Sequence, residues 1–597
     1  MCGIAGILTV HQYQDKLEQI IRRMQVALHH RGPDDAGIFI AQEKQAAFTH
    51  TRLSILDLSS AGHQPMSTSD GRYWITFNGE IYNFQQLRRD LITQGEKFNS
   101  QTDTEVILKL YQRWGSDCVQ YLRGMFAFAI WDDFEKTCFL ARDPLGIKPL
   151  YYWQSGATLI FASELRALLA SSLPAVNLSM EGLYGYLISG SVAEPNTLIE
   201  GVYCLNAGHY LHWQAGQLTQ KQYWQIDFTP ESITLEQARD KVRSALIDSI
   251  QHHFVSDVPV GVFLSGGIDS TTVVALARQT QTGLLKTYSI GFEEAEWNEG
   301  EIASKIAHHF DTEHTEYTIT SSVGQSLFPK FLETIDQPTV DGFNTFCVSQ
   351  LARQDGTKVV LSGLGGDELF GGYGSFHKIP QMVRLSRTIK AFYPLNIGIG
   401  MGLEHWARKP QIRRIGDFLQ DTPDSKAAYR SFRGIFSHQE ACQIAHQYLP
   451  ERDLPQRLRH DQVMSLPSVE DEVSLLEISG YMRNQLLRDS DVMSMSWGLE
   501  LRVPLVDRVF VETIASIPSN LRLMPKKKLL IESVPELPSW VTNRPKRGFS
   551  FPFQKWITDE WHECFQGINS SENIDLGNWY RRWSLALLQY WWQKVSN

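Results

Sequence analysis

Leu17, Ile20, Ile21, Met24, Ala27 and Leu28 recur at the three-and-four spacing of one helix face, and Gly32-Pro33 stops the pattern just beyond. Downstream come short runs rich in aromatic and β-branched residues, Tyr73–Phe77, Met125–Trp131, Cys138–Ala141 and Thr158–Ala162, each predicted to be a buried strand. Strands mixed with two or three amphipathic helices predict a layered α+β domain over residues 2–210. Over 211–240 the chain turns polar and irregular, as at Asp227-Phe228-Thr229-Pro230, and is predicted to link to a second domain spanning 241–597.

In that second part the order becomes strand, turn, helix, repeated. Val258–Leu264 leads to Asp269–Gln279, Lys286–Phe292 to Glu299–Phe310, and Lys358–Leu361 to another glycine turn. This alternation predicts a parallel α/β sheet. The last 200 or so residues are mostly helical in pattern and dense in Trp and Arg, and are predicted to wrap the sheet and close its site. No internal repeat is visible.

At 597 residues the chain exceeds what one hydrophobic core organises, in keeping with two large domains. With 43% hydrophobic and 20% charged residues it has the composition of a globular protein without disordered or fibrous tracts. A formal charge of −10, from 56 basic and 66 acidic residues, argues against a nucleic-acid or anionic-membrane partner. Met1-Cys2-Gly3-Ile4 lacks the start of a secretion signal, and no apolar run approaches the roughly 18 residues of a membrane span. The expected location is the cytoplasm. Seven cysteines, at 2, 118, 138, 204, 347, 442 and 564, are scattered without metal-ligand spacing, so neither a disulfide framework nor a zinc site is expected. All but Cys2 are expected to be small buried hydrophobes.

A thiol at position 2, behind a removable Met1, differs from any internal cysteine. After processing the same residue carries a free α-amine, with a pKa of about 7.7–8.0, that can serve as the general base for its own thiol. Cys2-Gly3-Ile4-Ala5-Gly6 is followed in order by His30-Arg31-Gly32-Pro33-Asp34, Arg52-Leu53-Ser54-Ile55, Phe77-Asn78-Gly79-Glu80-Ile81-Tyr82-Asn83, Asp103-Thr104-Glu105 and Arg142-Asp143-Pro144-Leu145-Gly146. Through these blocks the sequence resembles the class II, N-terminal-nucleophile glutamine amidotransferases, which implies an αββα glutaminase fold. The resemblance casts Cys2 as nucleophile, with the Asn78 side chain and the Gly79 backbone N–H holding the oxyanion. Glycine at 79 lets the backbone come close. Arg52 would take the α-carboxylate of glutamine, flanked by Leu53, Ser54, Ile55 and Leu56, while Asp103 assisted by Glu80 would take its ammonium. Arg142 and Asp143 are expected to form a buried pair shaping the floor of the site. An inert glutaminase fold acting only as a binding partner is the competing reading, and intact Cys2, Arg52, Asn78 and Asp103 speak against it.

Val258–Leu264 runs into Ser265-Gly266-Gly267-Ile268-Asp269-Ser270, a buried strand entering a glycine turn that opens a helix. Backbone N–H groups at such a turn, with the helix dipole behind them, cradle phosphate. The string resembles the pyrophosphate-binding loop of adenylating ATP pyrophosphatases and lacks the Lys of a Walker-type loop. That implies an adenine-nucleotide-hydrolase-like sheet with many added helices, on which a carboxylate is joined to AMP. ATP contacts would then come from Phe263, Ser265, Gly266, Gly267, Asp269, Ser270, Ile290, Ser362 and Gly363, although plain strand core explains Phe263 and Ile290 equally well. Magnesium is implied, with Asp269 and Asp367 as ligands. Asp491-Val492-Met493-Ser494-Met495, Glu500–Asp507 and Arg544-Pro545-Lys546-Arg547-Gly548-Phe549 also resemble the asparagine synthetase family, and Lys546 matches the lysine that faces phosphates and carboxylate there.

From Cys2 to about Trp556, therefore, the chain resembles the glutamine-hydrolysing asparagine synthetases. This implies the small-molecule substrates glutamine, ATP and an acceptor carboxylate, with ammonia passed through an internal tunnel, and it is compatible with a homodimer. One position departs. Where the family carries Glu after Ser-Gly in the second loop, this chain has Leu364, so the acceptor stays open between aspartate and another carboxylate, on a polysaccharide, peptide or secondary metabolite. If aspartate is the acceptor, Asp341 or Glu368 is the expected substitute acid. A ring-closing β-lactam synthetase needs no ammonia and leaves Cys2 unexplained. Val492 stands where the family tends to have a basic residue.

Overall fold

The computed structural model describes residues 1–10, 13–294, 296–389, 395–421, 424–453, 455, 466–545, 551–568 and 574–596. Its N-terminal half is built on two antiparallel sheets. The first takes β1 (Gly3–Leu8), β2 (Asp35–Ile40), β3 (Ala46–Arg52), β8 (Tyr151–Ser155), β9 (Thr158–Ala162) and β10 (Val202–Cys204), in the order β10-β8-β9-β1-β3-β2. The second takes β4 (Met66–Ser67), β5 (Tyr73–Ile81), β6 (Gly124–Asp132), β7 (Thr137–Arg142), β11 (His209–Gln214) and β12 (Gln217–Gln222), in the order β12-β11-β7-β6-β5-β4.

Strand pleating explains why the layers stack. Along β1, Ile4 and Leu8 enter the core between the sheets while Ala5 and Ile7 face the opposite way, onto Ile20, Ile21 and Met24 of α1 (Leu17–Ala27). Along β6, Ala127, Ala129 and Trp131 meet that same inter-sheet core, and Phe126, Phe128 and Ile130 turn outward onto Val106, Ile107 and Leu110. Those last three belong to α3 (Asp103–Trp114), which follows α2 (Phe84–Thr93). The result is helix, sheet, sheet, helix. Because both faces of both sheets are covered, strands here read as apolar runs rather than as alternating ones.

The hairpin β11–β12 extends the second sheet to Gln222. The N-terminal layers thus continue past 210, into what the sequence pattern assigns to the linker. Tyr210, Leu211 and Trp213 pack on both sides of the sheet, which a polar linker would not do.

After α4 (Leu165–Ala170), α5 (Met180–Ser189) and α6 (Leu235–His253), a parallel sheet forms in the order β15-β14-β13-β16-β17. Its strands are β13 (Val260–Phe263), β14 (Lys286–Phe292), β15 (Glu313–Ile319), β16 (Val359–Leu361) and β17 (Glu500–Arg502). Helices α7 (Ile268–Thr280), α8 (Gly300–His309), α9 (Ser321–Thr334) and α10 (Phe343–Gln354) connect and flank it. Sequence periodicity does not reveal β17, a three-residue edge strand separated from β16 by a long run of helices. Those helices and the C-terminal helix Trp579–Ser596 form the wrapping shell, its Trp583 and Trp591 buried beside Phe328 and Phe331 of α9.

Five of the six other cysteines are buried as expected; Cys564 is exposed, in a short 3-10 turn whose buried member is Phe565. No described helix is long and apolar enough to cross a membrane.

On the inter-sheet face of the first sheet, Gly6 leaves room for the rings of its own strand neighbours, Phe48 of β3 and Phe161 of β9. A Cβ on Gly6 would stand 2.4 Å from the Phe161 ring and 2.8 Å from Phe48. Gly6→Ala is therefore expected to overpack the layer and lower stability by about 1–3 kcal/mol, read as a reduced thermal midpoint.

Candidate active sites

Cys2 immediately precedes β1, whose N-terminus abuts β17 of the other domain. The Met1 ammonium is ion-paired with Glu500 at 3.0 Å, and both partners are fully buried. Cys2 itself is fixed at three points. Its backbone N–H donates to Asn78 Oδ1 (3.1 Å), its carbonyl accepts from Arg31 Nε (2.9 Å), and its thiol lies by the Leu53 N–H. Burial pushes the thiol's pKa up, opposed by the N-terminal ammonium, the Leu53 N–H and Arg52.

Asn78 and Gly79 sit in β5, opposite Ala127 and Phe126 of β6. With its oxygen committed to Cys2, Asn78 is left with a buried Nδ2 that has no hydrogen-bond partner among the described residues. A donor left in this state costs about 1–3 kcal/mol unless something arrives to accept from it. At Gly79 a Cβ would lie 2.1 Å from the Met125 carbonyl, so only glycine lets β5 approach β6 so closely.

Arg52, at the end of β3, folds its guanidinium back onto the following loop. Nη1 donates to the Ser59 carbonyl at 3.0 Å, and Nη2 to those of Leu56 and Asp57 at 3.2 and 2.5 Å. It shapes this loop while raising the potential near the thiol. Ser54 N donates to Asp34 Oδ2 at 2.8 Å, and the Ile55 carbonyl accepts from Asp257 N at 3.1 Å. The segment 53–56 thus borders both the thiol and the second domain.

Three buried carboxylates converge here. Asp103, at the start of α3, accepts from Ile81 N at 2.9 Å, and burial raises its pKa to about 7 against the Ile81 and Thr104 N–H groups. Burial and then Glu500 push Glu80 well up. Glu500 goes the other way, to about 2, because the Met1 ammonium, Arg502 and Lys148 outweigh its burial. Arg502 bridges them, 2.6 Å from Glu500 and 3.5 Å from Glu80. Glu500 and Arg502 are site residues that sequence reasoning missed. The motif Glu500–Asp507 was visible, but only the sheet edge directs these two side chains across the domain boundary.

A second buried group of charges lies alongside. Arg31 pairs with Glu164 and with Asp491, each at 2.8 Å, and Lys148 reaches Asp491 at 3.3 Å. Arg142 and Asp143, expected to pair with each other, do not. Arg142 binds Glu194 at 2.7 Å and the carbonyls of Lys148, Gly146 and Leu205, whereas Asp143 accepts N–H groups from Phe126, Leu145, Ile147 and Lys148. Backbone groups of the 142–148 turn saturate each charge separately.

In the second domain Ser265–Gly267 lies between β13 and α7. Ser270 Oγ is 2.9 Å from Ser265 Oγ and accepts from Ser265 N at 3.2 Å, which closes the turn. Arg544 donates to the Gly266 carbonyl at 3.3 Å. The turn after β16 packs directly on this one: a Cβ on Gly363 would lie 2.6 Å from Ser270 N, and one on Gly366 would lie 2.4 Å from an Asp269 oxygen. Ser362 N donates to the Arg502 carbonyl at 2.9 Å, so this turn also leans on β17. Phe263 is half-buried at the end of β13, and Ile290 is core of β14.

Asp269 and Asp367 come together around one cation position, and Lys527 occupies it. Its ammonium contacts both carboxylates, at 2.5 Å from Asp269. Lys526 and Lys527 both adopt left-handed backbone conformations, φ 59° and 57°, to turn that side chain inward. Lys527 was missed because Lys526-Lys527-Lys528 reads as a solvated run. Lys546 lies outside the described residues. Glu368, next to Asp367, accepts from Tyr373 Oη at 2.8 Å, and burial with Asp367 pushes it to about 7. Burial also raises Asp341. Leu364 packs on an apolar cluster that includes Met1, Leu53, Ile55, Met125, Leu145 and Ile147 from the first domain and Leu499, Leu501 and Val503 from the second.

A family model described as a glutamine amidotransferase domain matches residues 1–224, and one described as asparagine synthase matches residues 241–594. Asparagine synthetase [glutamine-hydrolyzing] 1 of Bacillus subtilis is 34% identical over 590 residues, covering 96% of this chain and 91% of its own. A putative asparagine synthetase [glutamine-hydrolyzing] of Mycobacterium bovis is 32% identical over 600 residues, covering 94% and 89%. Putative asparagine synthetase [glutamine-hydrolyzing] 2 of Methanocaldococcus jannaschii is 37% identical over 400 residues, covering 62% and 76%.

Replacing Lys527 by Met leaves Asp269 and Asp367 facing one another without a cation. The expected loss is about 3 kcal/mol, seen as a lower thermal midpoint. Millimolar Mg2+ alone should recover part of the loss in the variant and do little for the wild type.

Proposed function

The chain belongs to the glutamine-hydrolysing asparagine synthetase family, and from that premise we propose that it converts aspartate, glutamine and ATP to asparagine, glutamate, AMP and pyrophosphate. The observation that carries the glutaminase half is the buried, partnerless Nδ2 of Asn78 beside Cys2. Once Met1 is removed, the Cys2 amine takes the thiol proton and the thiolate attacks the glutamine amide carbon. The developing oxyanion is met by Asn78 Nδ2 and the Gly79 N–H. The amine returns the proton to the departing ammonia, and water then cleaves the thioester to release glutamate. Asp103 and Glu80 receive the substrate ammonium. Arg52 receives its carboxylate by turning part of its fork from the 56–59 loop.

In the second site a carboxylate oxygen of the acceptor attacks the α-phosphorus of ATP. Pyrophosphate departs into the Ser265–Ser270 turn, and ammonia then displaces AMP from the acyl carbon. Phe263, Ile290, Ser362 and Gly363 would border the adenosine. Asp269 and Asp367 suit Mg2+, which takes one or two carboxylates with the rest of its shell from phosphate and water, and it would neutralise charge on the phosphates. Lys527 would yield that position or share it, and Lys546 would add a second cation. Ammonia would need a path between the sites that keeps it uncharged, and the buried apolar side chains shared by the two domains, Leu53 and Met125 with Leu499 and Val503 among them, suit the walls of such a path. A cytoplasmic location and a homodimer belong to the same reading.

Leu364 favours a second reading, in which another carboxylate is the acceptor. Leucine cannot take a proton from ammonia, and the alternative acids differ in access. Glu368 lies buried beneath Tyr373, whereas Asp341 faces a cavity.

The test follows asparagine, glutamate and pyrophosphate together. Equal amounts of the three, dependent on aspartate, are expected. Asn78→Ala should lower glutamine-dependent turnover about 10²–10³-fold while ammonia-dependent turnover persists. Pyrophosphate release that ignores aspartate would sink the first reading.

Asp103 adds a pH dependence. In the free site it keeps its proton up to about pH 7, whereas in the unfolded chain it loses it near pH 4, so its burial costs stability as pH rises through that window. Glutamine's ammonium needs the carboxylate and must expel that proton. KM for glutamine is therefore expected to fall between about pH 6 and pH 8, and Asp103→Asn should raise it and flatten the profile.

A further inference from the structure

A cavity of about 360 Å³ lies where α5 and the residues after it meet the second domain. That volume matches small-molecule sites, which run about 300–1,000 Å³, and it would hold roughly a dozen waters at about 30 Å³ each. One wall is aromatic: Phe343, Phe551, Phe553 and Trp583 line it and pack on one another with ring centroids 4.6–6.3 Å apart. Facing them is an eleven-residue π-helix, Glu477–Leu487. Such wide turns are rare at this length and gather at functional sites. This one directs Gly480, Tyr481, Asn484 and Gln485 into the cavity. At Gly480 a Cβ would make ordinary van der Waals contact with the Tyr429 ring at 3.6 Å, so a larger side chain there would extend along that ring and take up cavity volume.

Two runs of side-chain contact lead from the cavity toward the proposed adenylation site. Tyr481 packs edge-on against Tyr373 at 5.9 Å, and Tyr373 donates to Glu368, the neighbour of Asp367. Phe551 packs against Phe292, the last residue of β14, at 4.7 Å. The cavity therefore lies at the carboxyl ends of β14 and β16, the edge on which both glycine turns sit. Charged side chains also line the cavity, among them Asp341 and Arg433, the latter held by Glu477 at 2.8 Å and stacked over Tyr373 and Tyr481.

Aspartate carries a charge on three of its four carbons and has no apolar face to set against that wall. We propose that this enzyme also activates carboxylic acids bearing an aromatic or branched aliphatic arm, with the arm in this cavity and the carboxylate at the Ser265–Ser270 turn. The proposal rests on the ligase reading above. Its chemistry balances in the same way. A carboxylate oxygen bonds to the α-phosphorus as the bond to the β-phosphate oxygen breaks and pyrophosphate leaves. Ammonia from glutamine then bonds to the acyl carbon, gives up a proton, and AMP leaves with the oxygen.

The test uses the full-length enzyme with glutamine, Mg2+ and ATP, and measures pyrophosphate release with aspartate, succinate, phenylsuccinate and N-benzoyl-aspartate. The ring-bearing acids are expected to exceed succinate at least tenfold in kcat/KM. Gly480→Leu, which fills the cavity, should remove that advantage while changing aspartate-dependent release and glutaminase activity less than twofold. Ala193→Phe fills it from the amidotransferase wall and serves if the first variant does not fold. Release with aspartate but with neither ring-bearing acid would overturn the proposal and leave the ligase reading standing, as would an equal loss for ring-bearing acids and succinate in both variants. Silence with all four acids, with glutaminase intact, would overturn both.

Discussion

A guanidinium without solvent contact, that of Arg31, holds the Cys2 carbonyl and is itself held by acids from both domains, Glu164 and Asp491. Burying such a group costs several kcal/mol per charge, and its pairs repay this only with good geometry, so its worth lies in what it specifies rather than in net stability. Here it specifies where Cys2 stands relative to the helix Arg488–Met495, and hence relative to β17. Either domain alone would leave one side of this network unpaired in a dry interior. The two domains are thereby tied into one catalytic unit at the point where ammonia is made.

The same logic governs the carboxylates around Cys2. Glu80 and Asp103 are pushed toward neutrality by burial, while Glu500 stays charged because Met1 and Arg502 stand beside it. Arg502 and Lys148 stay beside Glu500 when processing removes the Met1 ammonium, and in the proposed reaction the substrate ammonium adds a cation to these acids. Asn78 completes the arrangement: its oxygen is committed to the Cys2 N–H, and its Nδ2 has no partner among the described residues, which is what the proposed oxyanion role requires.

At the second site the two glycine turns touch because Gly363 and Gly366 carry no side chain, which brings Asp269 and Asp367 to a single cation. Lys527 neutralises them by way of two successive left-handed residues, a strain of about 1–2 kcal/mol each that the buried ion pairs offset. Beyond this centre the shell changes character, from charged turns to aromatic walls. Leu364 sits in the second turn itself and packs on an apolar cluster separate from those walls, and of the two candidate acids it is Asp341, not Glu368, that lines the cavity.

Local order carried much of this into the sequence. The helix of Leu17–Leu28, the strands around Asn78 and Ala129, and the strand-turn-helix unit at Ser265 were legible because periodicity and glycine turns are set by neighbours in the chain. The site blocks were equally visible, and their residue types suit the fixed charges that glutamine and ATP would bring in the proposed reaction. What the sequence could not determine were the partners supplied from afar: Glu500 and Arg502 reaching across from a three-residue edge strand, Lys527 hidden in a run of lysines, and Arg142 pairing with Glu194 instead of Asp143. A charge finds its counterion through space, and in a dry interior that choice depends on which backbone groups have already been satisfied. Chain neighbours do not encode it, so only the packed tertiary structure decided it.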